Sequence, residues 1–253
     1  LFGYSLLNDT PSEGDLLMFT GSAWRPLPVS LGGSGAWPAD QKAIIDNTEY
    51  NTITLADAAA GGTDVIKAGG GTFAEQVDLT NAGYLIGTGW GTIIDHSASP
   101  SMIISNAGAV AESLTVDNDT VSVATALDVN QNCEIENLYC YAHGTGTNRA
   151  IDCSASMTAR LCKLVADTGT DNFAARHSGS GTSYFIGCDL TGNLSCTGGT
   201  LYVVGGTITG DVSTSGGTLI LLGCRITGSF PAPGGTIKGW YPVCHGDLNG
   251  EQG

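Results

Sequence analysis

Acidic side chains with basic neighbours crowd the middle of the chain: Glu134, Glu136, Asp152, Asp167 and Asp171, with Arg149, Arg160 and Lys163 among them. Two carboxyl groups held about 5 to 9 Å apart across a glycosidic bond act as acid and nucleophile or base, so residues of these types suit sugar-bond cleavage. No two of them align as a pair by inspection, and a solvated acidic face is the simpler explanation. Tyr139, Tyr141 and His143 lie among them as alternate residues, which point to one side of a strand. Rings in such a row are stacking platforms for a sugar; a neighbouring subunit or loop that covers them is the competing explanation. Tyr139, Tyr141 and His143 are therefore taken as candidate glycan-binding residues, and no residue is taken as catalytic.

Other chemistry is poorly supported. Asp117-Asn118-Asp119 begins like a calcium loop but lacks the glycine and closing glutamate that complete one, so a solvated turn is expected. His96, His177 and His245 stand apart from any Ser or Cys nucleophile at a recognisable spacing, and solvated turns are expected for all three. No G-x-S-x-G, Walker loop or dinucleotide fingerprint occurs. Cys-x-x-Cys spacing is missing, the nearest pairs being Cys133/Cys140 and Cys188/Cys196. Neither a metal nor a cofactor is expected. Nine basic residues against 24 acidic ones give a formal charge of −15, which repels nucleic-acid phosphates and anionic lipid surfaces. There is no run of 18 apolar residues, and Leu1 to Leu7 lacks the basic flank of a secretion signal. A start at Leu1 rather than Met is expected of a processed or partial chain.

The elements that must position these residues are set by a repeat. Gly187-Cys188-Asp189-Leu190-Thr191-Gly192 recurs at Gly205 and again at Gly223, each 18 residues after the last. A unit this short cannot bury its own apolar side, so it must stack on its neighbours in a solenoid. Extended backwards, the register yields a core column at Leu114, Leu138, Cys162, Cys188, Gly206 and Cys224, and a second at Val116, Cys140, Leu164, Leu190, Ile208 and Ile226. Both step by 24, 24, 26, 18 and 18. A third column runs through Ile103, Leu127, Ile151, Ala174, Leu194, Val212 and Phe230. Cysteines that alternate with Leu and Ile in such columns behave as small hydrophobes, and reduced thiols are expected. Gly is 38 of 253 residues, and short Val/Ile/Leu runs alternate with Thr, Ser, Asn and Asp, so the chain should be nearly all β. The one helical turn expected lies near Pro38 to Ile45.

Residues 1 to about 40 lack the coil register and carry Pro11, Pro26, Pro28 and Pro38. Within them Leu16-Leu17-Met18-Phe19 and Trp24-Arg25-Pro26-Leu27 flank a Thr20-Gly21-Ser22 turn and read as a hairpin, too small to stand alone in water. From Gly14 to Pro28 the stretch resembles the short GDLL-x-x-x-G-x-x-W-x-x-L-P units near the attachment ends of phage tail-fibre and head-fibre proteins. That resemblance implies an attachment module in which Leu16, Leu17, Phe19, Trp24 and Leu27 dock on other virion proteins.

Further on, Gly71-Thr72-Phe73-Ala74-Glu75-Gln76-Val77 followed by Leu85-Ile86-Gly87-Thr88-Gly89-Trp90-Gly91-Thr92-Ile93-Ile94 resembles the opening coils of the pectate-lyase-like right-handed parallel β-helix superfamily. The resemblance implies that fold, with Glu75 structural, and it is shared by enzymes and non-enzymes. Pectin methylesterases in that superfamily carry D-F-I/V-F-G and L-G-R-P-W motifs, which this chain lacks, so their activity is not implied. A left-handed helix of hexads suits the last three coils, but the longer coils before them argue against it.

The expected architecture is thus an all-β chain: residues 1–40 an attachment hairpin and linker, 41–240 a right-handed parallel β-helix, 241–253 a tail. In the final coils Leu201-Tyr202-Val203-Val204 and Leu219-Ile220-Leu221-Leu222 are apolar at both parities, so one row must face outward. Phe185, Leu201, Val203, Leu219 and Leu221 are taken as that row, and as the interface of a homotrimer like those of phage spikes. The expected role is a structural protein of the virion surface, extracellular, that presents its solenoid to a host glycan. A spike-type polysaccharide depolymerase, with its cleft near Tyr139 and Asp152, and a bacterial surface adhesin are the alternatives.

Overall fold

The computed structural model describes residues 16–19, 24–27, 41–45, 47–120, 122–231, 234–240 and 243–244. The chain forms a right-handed parallel β-helix with seven complete coils of three strands among these residues. Successive coils stack into parallel sheets of eleven, nine and seven strands, the first extended at its N-terminal edge by the antiparallel strands Ala43–Ile45 and Thr48–Tyr50. One coil shows the plan: Cys133–Glu136 lies in the eleven-stranded sheet, Tyr139–Ala142 in the nine-stranded sheet and Thr147–Cys153 in the seven-stranded sheet.

Val116, Cys140, Leu164, Leu190, Ile208 and Ile226 are Cα partners in unbroken succession, and none is more than 1% exposed. Leu114, Leu138, Cys162, Cys188 and Cys224 are likewise core. Gly206 holds its place in that column for another reason: its φ is +77°, and a Cβ there would sit 2.0 Å from the Cys188 carbonyl oxygen. The third column needs two corrections. Met102, not Ile103, pairs with Leu127, and Ala175, not Ala174, pairs with Ile151 and Leu194. At both places the adjacent residue is also apolar, and a register shift between Phe173 and Ala175 breaks the count.

Among the described residues, coils from the third complete one onward turn from the eleven- to the nine-stranded sheet through a residue at positive φ: Ser113, Asn137, Leu161, Gly187, Gly205 (followed by Gly206, also at positive φ) and Gly223. Asn and Gly adopt this conformation at little cost, but Leu161 does not, and its side chain is 62% exposed with little packing to offset the strain. Leu161→Asn is expected to stabilise the fold by about 0.5 to 1 kcal/mol, read as a higher denaturant midpoint. An unchanged or lower midpoint contradicts this.

Phe185, Leu201, Val203, Leu219 and Leu221 face the core, each at most 1% exposed, so they cannot line an interface between copies. The outward row of the same strands is Tyr184, Tyr202 and Ile220, with Ile186, Val204 and Leu222 beside it. An apolar row does therefore face out, at the opposite parity to the one expected.

The N-terminal end of the solenoid is closed by a short helix, Ile53–Ala59, and not by a helical turn near residue 45, where Ala43–Ile45 is a strand. Thr52 caps the helix by accepting from the Leu55 N–H, and Glu75 accepts from the N–H groups of Ile53 (2.7 Å) and Thr54 (3.1 Å). Glu75 is structural, as its motif implies. Ile53 and Ala56 are buried against the first coil, and no helix among the described residues is long and apolar enough to cross a membrane. Leu16–Phe19 and Trp24–Leu27 pair antiparallel, with Phe19 opposite Trp24; the side chains that would dock this hairpin lie outside the described residues.

The seven described cysteines are buried thiols. Burial pushes the Cys153 thiol up to about 11, and raises Cys133 and Cys140 further still, so none of these three is a nucleophile at neutral pH.

Candidate functional site

Tyr139 and Tyr141 project from the nine-stranded sheet because Cys140 and Ala142, between and after them, are fully buried. The rings make one row. Tyr139 and Tyr141 lie 5.9 Å apart with planes 12° from parallel, and Tyr141 and His143 lie 4.3 Å apart at the same angle. Trp90 extends the row, tilted by 44° at 5.6 Å from Tyr139, its indole N–H donating to the Asn137 carbonyl. Trp90 is 47% exposed and was not among the residues expected; its setting in the sequence, Gly89-Trp90-Gly91, was the available signal.

Polar groups hold the row in place. The Lys163 ammonium sits 5.0 Å from the centre of the Tyr139 ring, the Tyr141 hydroxyl donates to Asp167 at 3.3 Å, and His143 Nε2 lies 3.0 Å from Asp117 Oδ1. Burial, then the charges of Asp117 and Asp167, pushes the Tyr139 phenol up; burial and Asp167 do the same for Tyr141. Both remain neutral hydroxyls at physiological pH. Burial also raises the Asp117 carboxyl, partly countered by His143, while Asp95, its neighbour in register, adds to the rise. The result is a fixed apolar strip edged with donors and acceptors, which suits a polyhydroxylated ligand with apolar C–H faces.

The acids named from the sequence separate onto three faces. Glu134, Glu136 and Arg160 lie on the eleven-stranded sheet, Lys163 and Asp167 beside the ring row, and Arg149, Asp152 and the exposed Asp171 on the seven-stranded sheet. In-register carboxylate pairs nevertheless form: Glu112 with Glu136, Asp95 with Asp117, and Asp128 with Asp152. Only the last is joined to arginines. Arg176 donates from Nε (2.9 Å) and Nη2 (2.6 Å) to the two oxygens of Asp152, and Arg149 Nε lies 3.7 Å away. Burial and the Asp152 charge hold the Asp128 carboxyl above its ordinary range, against the hydrogen bond from Asn130 and the two arginines. A carboxyl whose proton affinity is raised beside an arginine-held carboxylate is a division of roles that acid–base chemistry uses. Asp128 and Arg176 were not singled out from the sequence, although each lies 24 residues from Asp152, which is one coil.

Two further expectations are corrected. His177 is not on a solvated turn: it is 1% exposed, with Nδ1 3.4 Å from the buried Ser183 hydroxyl, and burial lowers its imidazole. Sealed from solvent, that pair cannot reach a substrate. Asn118 is not on a solvated turn either, since its buried amide donates to the carbonyls of His96 and Ala98. His96 lies on the surface turn expected of it, and His245 is outside the described residues.

No protein-family model matches the chain, and no curated protein matches it in sequence. Among solved structures it is similar to a pectin methylesterase from carrot, at 16% identity and a TM-score of 0.49, over 77% of this chain and 81% of that one.

Proposed function

We propose that this protein is a structural component of a virion surface, a fibre, spike or decoration protein, that presents its nine-stranded face to a host glycan. The observation that carries the reading is the row Trp90, Tyr139, Tyr141 and His143, outward-facing and held in place by Lys163, Asp117 and Asp167. Preorganised rings with few rotatable bonds contribute contact area at low entropic cost. A chain of formal charge −15 repels polyanions, so the glycan is neutral or carries amines. Attachment is assigned to the hairpin on its resemblance to fibre units. Assembly into homotrimers is assigned to the outward row Tyr202, Ile220, Val204 and Leu222, an apolar surface of the kind that partners cover.

A second reading is favoured by one observation, the Asp128/Asp152 pair with its arginines, which is an acid–base arrangement fit for a polysaccharide depolymerase. Incubation with purified host-surface polysaccharide, followed by assay of reducing ends, separates the two. The structural role predicts retention of the protein on the immobilised polysaccharide with no new ends after hours. New ends that disappear in Asp128→Asn would overturn it in favour of the enzyme.

A further inference from the structure

We propose that the eleven-stranded face carries a second glycan site, a groove between Tyr84 and Tyr184 that takes a linear, amine-bearing oligosaccharide along the coil axis. It does not depend on the ring row of the nine-stranded face. Tyr84, Val110, Glu134, Thr158 and Tyr184 are successive partners on five adjacent coils, all at the outward parity of their strands. Four coil steps of about 4.8 Å place the two tyrosines roughly 19 Å apart. None of the residues between them is aromatic, Val110 and Thr158 are short, and Gly108, two residues before Val110, has open space where a Cβ would point. A cavity of about 550 Å³ follows, within the range of binding pockets.

Both the wall and the floor are preorganised. Tyr184 is stacked on Tyr202 of the next coil, with centroids 4.8 Å apart and planes 13° from parallel. One ring face is thereby occupied, and the other is turned back towards Thr158 and the groove. Along the edge, Asn132 accepts from the Ser156 N–H and the Ser156 hydroxyl accepts from the Thr182 N–H, each at 3.1 Å. Glu134 is exposed and is the single charged residue among those that line the cavity. An aromatic end-stop, hydroxyl and amide groups along the edge and one carboxylate midway match a sugar chain with an ammonium group better than an apolar peptide. The strands beneath are paired on both sides, so no backbone is left to pair with an added strand.

The test is calorimetric titration of the full chain with β-1,4-linked glucosamine oligomers of increasing length, against the same series N-acetylated. Affinity is expected to rise up to about four units, a length comparable to the groove, and to favour the amine series. Glu134→Gln is expected to weaken the amine series about tenfold and erase that preference; Tyr184→Ala is expected to weaken both series about tenfold, whereas Tyr141→Ala, at the ring row, is expected to leave the preference for the amine series in place. All three side chains are outward, so circular dichroism should report intact folds. The proposal is overturned if no amine oligomer binds at millimolar concentration, or if Glu134→Gln and Tyr184→Ala leave binding unchanged. Loss of binding in Tyr141→Ala alone would instead assign the amine to the nine-stranded face.

Discussion

Val203→Asp is expected to abolish the cooperative unfolding transition of the C-terminal coils, while Val204→Asp, one residue along, leaves it in place. Val203 is fully buried and stacked in register between Phe185 and Leu221, themselves no more than 1% exposed. A carboxylate there has no partner within the apolar interior, and it must either stay charged at great cost or take up a proton. The loss of packing and the uncompensated polar group together amount to roughly 3 to 5 kcal/mol, a large part of the stability of an ordinary domain. Val204 is half-buried and points outward, so an aspartate there meets solvent. If the outward row joins copies of the chain, Val204→Asp also lowers the sedimentation coefficient. Equal thermal profiles for the two variants would contradict the inward parity of Val203.

Asp57→Ala is expected to be the most damaging change at the other end of the solenoid. Asp57 lies in the capping helix, 2% exposed, and its carboxylate accepts from the N–H groups of Thr80 (3.1 Å), Asn81 (3.2 Å) and Ala82 (2.9 Å) as well as the Thr80 hydroxyl (2.8 Å). It ties the helix to the bend that leads into the second coil. Alanine orphans these donors, of which Ala82 is fully buried, at a cost of about 2 to 4 kcal/mol once partial access of water to Thr80 and Asn81 is allowed for. Asp57→Asn should cost less, because an amide oxygen still accepts part of the set. Urea unfolding should show this order, and Asp57→Ala with a native midpoint would mean that the helix does not cap the solenoid.

Periodicity made the coils legible because inward positions of successive coils share one core, so Val116 to Ile226 could be followed residue by residue. Parity failed only where both faces are apolar. The information was nonetheless present: Glu134 and Glu136 flank Ile135, which puts Ile135 inward three residues before Leu138, and the same offset counted back from Cys188 puts Phe185 inward. Counted back from Gly206 and Cys224, it puts Val203 and Leu221 inward as well. The capping helix was missed because its register belongs to no repeat. Its signals were local, a Thr52 cap, an alanine-rich run from Ala56 and a stop at Gly61-Gly62. Three of the four members of the ring row were legible, since alternation revealed Tyr139, Tyr141 and His143, whereas Trp90 arrives from a corner two coils earlier. The acids could be grouped by face only once strand and corner lengths were known, because coils of unequal length carry equal spacings to different sheets.

The most direct test of the glycan-contacting role is to measure binding of a neutral host-surface polysaccharide to the full chain and to the Tyr139→Ala/Tyr141→Ala double variant, both shown to be folded. Both rings are outward and half-buried, so the coils should survive their loss. The reading predicts saturable binding by the unmodified chain and at least a tenfold loss in the double variant, about 1.4 kcal/mol or more. Equal binding by the two proteins would contradict it.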